Sequence, residues 1–187
     1  MASWLTHAFL AGALGKAQPF HIRTTRFWVL SIFCSIVPDA DVLGYAWGIE
    51  YSHVLGHRGL MHSLCFAFGL AMLTVVWGFP RIPRGSKTWW VLVTHFFLVT
   101  ASHGVLDALT NGGLGVAFFA PFDNTRYFFP WTPIVVSPIG ADFFGLRGLQ
   151  VITSEVLFVW VPIMLIAKGV VFLRNKRIKW RGCESAK

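Results

Sequence analysis

Charge is scarce in this chain: of its 187 residues 13% are charged, and only eight are acidic. A water-exposed domain carries roughly 25% charged residues, so an ordinary soluble enzyme is excluded. With 55% of residues hydrophobic and 16% aromatic, intrinsic disorder is excluded as well. Cysteine is nearly absent too. Cys34 and Cys65 fall in apolar runs and Cys183 lies in a basic tail, so there is no disulfide framework and no paired-cysteine metal motif. Internal repeats and low-complexity segments are also missing, and the length fits one domain over residues 1–187. The first apolar stretch, Trp4–Gly15, has no basic region ahead of it, and Lys16 follows it. It therefore reads as a retained membrane segment and not as a secretory signal.

What the chain does have is long apolar runs. Phe27–Gly48, Leu60–Phe79, Trp89–Thr110 and Gln150–Leu173 are each near the roughly 20 residues that cross a hydrocarbon core. They lack the period-2 alternation of strands. The expected fold is all-α: a polytopic transmembrane helical bundle with four clear spans and a short N-terminal membrane helix.

The net charge of +8 is clustered between these runs, at Lys16, Arg23 and Arg26, at Arg81, Arg84 and Lys87, and in a basic tail over residues 174–187. Such clusters follow the positive-inside rule, so they mark the cytoplasmic face of a bacterial inner membrane. No nucleic-acid partner is expected; membrane lipids are. The connection over residues 111–149 then falls on the outer, periplasmic side. It carries Pro121, Pro130, Pro133 and Pro138 among aromatics, which argues for an ordered loop.

Against so apolar a background the few polar residues stand out. Asp39 and Asp41 lie in Pro38-Asp39-Ala40-Asp41, where an unpaired carboxylate in hydrocarbon costs several kcal/mol, of order ~3 by insertion scales. Pro38 removes a backbone donor and opens the helix locally. His57-Arg58-Gly59 leads to His62-Ser63, and His103 and Asp107 are four residues apart on one helical face. With His7 these groups share one expected depth near the outer side. A single intramembrane histidine is usually a helix-packing group, and the aspartates have the alternative of capping a broken helix or pairing with Arg58.

Taken together, His7, Asp39, Asp41, His57, His62, His103 and Asp107 read as a mixed His/carboxylate metal centre. Zinc suits these donors, with manganese and iron also compatible. Seven donors exceed one catalytic zinc and would accommodate two ions, with Asp39 and Asp41 acting on a metal-activated water. Arg58 and Arg126 are expected to clamp a phosphate, the alternative being head-group anchoring or ion pairs. Glu155 is an expected ligand or general base, or else a bond across the bundle. His95, eight residues before His103 and so about two turns deeper, is assigned to helix packing. His21 falls in a cytoplasmic loop, and His53 has no partner at clear spacing.

These landmarks resemble the YdjM family of membrane-bound metal-dependent hydrolases. They are Thr6-His7, Pro38-Asp39-Ala40-Asp41, His57-Arg58-Gly59 with His62-Ser63, His103 with Asp107, and the Pro121-Phe122 loop through Arg126. The resemblance covers about residues 3–130 and implies a helical membrane enzyme with a metal site. It also implies a remote similarity to zinc-dependent phospholipase C and related nucleases, hence hydrolysis of a phosphoester of a phospholipid or lipid-linked substrate. Two other readings stay open: an ion or proton transporter using the same His/Asp residues, and a structural stress-response membrane protein.

Overall fold

A computed structural model describes residues 1–18, 22–138 and 140–169. His21 and the basic tail lie outside the described residues. The fold is helical, with no strand among the described residues. Helix α1 (Trp4–Lys16) starts at Ser3, and α2 (Thr25–Ile36) is capped by Thr24, whose hydroxyl accepts from Phe27 N. Helix α3 spans Leu64–Gly78 with Ser63 as its cap, α4 spans Lys87–Ala108 with Ser86 as its cap, and α5 begins at Leu146–Glu155. A hydroxyl at each of these first four caps satisfies an otherwise orphaned backbone donor.

Helix α4 packs against α1, α2 and α3 and is the axis of the bundle. Around it Phe27, Cys34, Ala71, Val75, Leu92, Phe96 and Val99 form a fully buried apolar cluster. A second, smaller cluster of Ala2, Leu106, Ile134 and Val159 joins the N-terminal segment, α4, the long loop and the last helix. His103 lies on α4 between the two clusters, beyond Val99 and before Leu106. Apolar side chains also face outward, among them Trp77 on α3 and Leu157 and Ile166 on the last helix, as a bilayer allows.

Among the described residues three helical stretches are long and apolar enough to cross a membrane: Thr25–Trp47, Lys87–Ala108 and Leu146–Gly169. The expected run Leu60–Phe79 is not a fourth. Its α-helix is only the 15 residues Leu64–Gly78, because Leu60–His62 forms a separate 3₁₀ turn. At about 1.5 Å per residue such a helix falls short of a ~30 Å core. The N-terminal helix is 13 residues long, also short of a span.

The α2 segment changes geometry where Pro38 stands. The α-helix stops at Ile36, and Val37–Trp47 continues as a 3₁₀ helix with the proline in its first turn. Residues two apart point nearly opposite ways on an α-helix but only about 120° apart at three residues per turn. Asp39 and Asp41 can therefore both aim at the same neighbouring turn.

Candidate metal centre

That turn carries His62. Leu60–His62 is held against α4 because residue 104 is glycine: a Cβ there would come within 2.9 Å of the His62 carbonyl. The preceding Arg58 has a left-handed backbone, φ 63°, costly for a side chain of this size. The conformation is held in place from several sides. Arg58 N donates to Asp41 Oδ2 at 3.0 Å, and its guanidinium donates to Gly112 O and Thr110 Oγ1.

The result is a set of four donors, the buried His62, His103 and Asp107 with the partly buried Asp39, whose ligand atoms lie within 4.8 Å of one another. His62 Nε2 is 3.1 Å from His103 Nε2, 3.5 Å from Asp107 Oδ2 and 3.7 Å from Asp39 Oδ1. His103 Nε2 is 3.3 Å from Asp39 Oδ1 and 4.0 Å from Asp107 Oδ2. Ligand atoms about 2.0–2.1 Å from a tetrahedral ion stand roughly 3.3–3.4 Å apart. The observed spacings bracket that value.

The hydrogen-bond chemistry points the same way. His103 Nδ1 lies 2.7 Å from the Ser35 carbonyl, which only accepts, so Nδ1 carries the proton. In the neutral ring Nε2 is left with a lone pair facing the other donors. Asp39 Oδ1 and Asp107 Oδ2 are buried with no hydrogen-bond partner. Lone pairs thus face lone pairs, an arrangement that a shared cation or proton satisfies. Charge agrees: Asp39, Asp41 and Asp107 set three carboxylates against the guanidinium of Arg58, whose Nε is 3.2 Å from Asp107 Oδ2, and the Met1 ammonium, which also acts on Asp107.

A second group, Asp41, His57 and His62, shares His62 with the first. Its donors are largely spoken for. His57 Nδ1 and Asp41 Oδ1 are 2.7 Å apart, while Asp41 Oδ2 takes the Arg58 amide and sits 3.0 Å from His62 Nδ1. A carboxylate behind a histidine that points its other nitrogen at a metal is the usual orienting arrangement.

The remaining expected site residues are placed differently. His7 is not in the four-donor group; its ring stacks on His103 at 3.7 Å, with Nε2 3.7 Å from Asp107 Oδ1. Arg58 is fully buried and committed to Asp107, Gly112 and Thr110. Arg126 is likewise engaged, donating to the carbonyls of His57, Tyr51 and His53. Tyr51, whose phenol burial pushes up in pKa, closes that side with its ring 5.3 Å from His57.

Glu155 is remote from the four donors in its bonding. It accepts from Ser3 N, Ser3 Oγ and Thr6 Oγ1, fastening the N-terminal helix to the last one. This is the expected bond across the bundle. His95 packs as expected, on Phe27 and against Ser31 Oγ at 2.9 Å. Sequence reasoning missed Ser35, Thr110 and Gly104. The first acts through its backbone, and the other two show their role only once the turns are folded.

A helical membrane protein with a buried His/Asp cluster fit to hold a metal is the class that this fold and site define. The chain belongs to the family described as YdjM inner membrane protein, which it matches over residues 1–178. It is similar to the inner membrane protein YbcI of Escherichia coli (strain K12), 36% identical over 177 residues, covering 94% of this chain and 100% of that protein. No solved structure matches.

Proposed function

We propose that the chain is a metal-dependent hydrolase of the inner membrane, cleaving a phosphoester of a phospholipid or lipid-linked substrate at the outer side. The observation that carries this reading is the convergence of Asp39, His62, His103 and Asp107 at ligand spacing, with Asp39 Oδ1 and Asp107 Oδ2 buried and without a hydrogen-bond partner. Asp39, His62, His103 and Asp107 would hold a divalent ion, zinc first among the fitting metals. Bound there, such an ion would supply Lewis acidity and a water of lowered pKa.

The chain's own residues do the rest. Asp41 and the Ser35 carbonyl fix the two imidazoles with Nε2 inward. Arg58 holds Asp107 and offsets part of the carboxylate charge. Asp39 is the exposed edge of the group, with 13% of its side chain accessible against 0% for His62, His103 and Asp107. It is therefore the ligand beside which a substrate oxygen and a water can meet. With no clamp from Arg58 or Arg126, the substrate phosphate would be held chiefly at the metal.

One observation favours the transporter reading: Ser31 and His95 place further polar atoms deeper along the bundle. Fully buried Phe27, Phe96 and Val99 belong to the apolar cluster packed at that level, so a hydrated path is not built there.

The test is a hydrolysis screen on zinc-loaded protein in nanodiscs, using phospholipids and lipid-linked phosphates. Release of product that stops on chelation and returns with zinc is expected. Metal-driven ion flux in liposomes with no hydrolysis of any substrate would replace this reading by the transporter.

A further inference from the structure

The direction from which the centre is reached narrows what it can take. On one side it is closed by Arg58, His57, Tyr51 and the backbone carbonyls tied to Arg126. On the other, Asp39 forms part of the wall of a cavity of about 200 Å³. Ala2, Ser3 and Trp4 line it from the N-terminal segment, and Ser137, Phe143 and Phe144 from the far loop.

Pockets that enclose a drug-sized molecule run to about 300–1,000 Å³. This one is large enough for a head group alone. Two aromatics of its lining are turned outward, Trp4 at 55% exposed and Phe144 at 89%, and two residues past Phe144 the start of α5 presents Leu146 at 82%. Leu146 opens one of the three stretches long enough to span, so the rim stands where a helix meets the bilayer boundary. Bulky aromatics are at home there.

We infer that the opening between the N-terminal segment and the far-side residues Ser137, Phe143 and Phe144 is a lateral portal. Through it the centre receives the anionic head group of a membrane-held amphiphile while the chain stays outside, against Phe144 and Leu146. The inference rests on the metal-centre reading above and adds to it the route of entry.

The test follows metal extraction, not turnover. Zinc-loaded protein in nanodiscs is exposed to a chelator, with either dodecyl phosphate or inorganic phosphate present. Dodecyl phosphate should slow extraction at a concentration at least ~10-fold below that of inorganic phosphate, since each buried methylene adds about 0.8 kcal/mol. The double variant Phe144→Ser/Leu146→Ser should lose that difference and keep its metal. Ser137→Phe, which fills the cavity, should slow extraction without either ligand.

Equal protection by the two phosphates, or an advantage of dodecyl phosphate that survives in F144S/L146S, overturns the portal and leaves the metal centre standing. Protein that takes up no zinc overturns both. Should S137F fail to fold, the rim variant still decides.

Discussion

Replacing Asp107 by Ala should abolish metal retention and destabilise the fold in one step. Asp107 Oδ2 faces His62 and His103 among the donors and is also 3.2 Å from Arg58 Nε, while Oδ1 accepts from Ala2 N at 2.7 Å. Its loss removes a ligand and leaves a fully buried guanidinium without its carboxylate. Breaking a buried pair in this way costs about 3–5 kcal/mol. Asp39→Ala separates the two effects, because Asp39 is the partly exposed member of the four-donor group and the neighbouring carboxylate Asp107 still serves Arg58. It should lose metal equally but melt near the wild-type apoprotein. Metal analysis and thermal unfolding in detergent read both quantities. A D107A protein as stable as D39A would mean that Arg58 does not depend on Asp107.

The second large effect belongs to Asp41. It touches both His57 and His62 and takes the amide of the left-handed Arg58, yet it does not join the four-donor group. Asp41→Ala should therefore weaken metal affinity by about 10–100-fold, the usual cost of losing an orienting carboxylate. The protein should still fill at saturating metal. Competition with a chromophoric chelator gives the affinity, and metal analysis at saturation gives the stoichiometry. A drop in stoichiometry at saturation would make Asp41 a direct ligand and revive the two-ion arrangement.

Much of this centre was legible before any coordinates. Intramembrane acids are so expensive that Asp39, Asp41 and Asp107 announced themselves by residue type alone. The four-residue spacing of His103 and Asp107 placed them on one face, and Pro38 signalled the change of helix geometry that lets both nearby carboxylates reach one turn. What stayed hidden was who occupies whom. Arg126 looked like a free cation in a loop, but its acceptors are backbone carbonyls some 70 residues away, and carbonyls leave no trace in a side-chain pattern.

Glu155 had the same problem in reverse. Its partners Ser3 and Thr6 are common helix-start residues, and nothing in their spacing ties them to an acid 149 or more residues later. The apolar run at residues 60–79 misled for a simpler reason: composition sees Leu60 and Met61 as helical continuation, whereas Gly59 and the cap at Ser63 divide the run into a short turn and a 15-residue helix. Hydrophobicity gave its extent, but the caps set its length.

Whether Asp39, His62, His103 and Asp107 form one metal site is read most directly from the metal-to-protein ratio of the purified full chain. Wild-type protein should carry about one divalent ion per chain, as a four-donor site requires, and His62→Ala/His103→Ala should carry almost none while remaining folded in detergent. A wild-type ratio near zero after zinc supplementation, or a double variant that keeps the full ratio, would contradict the account.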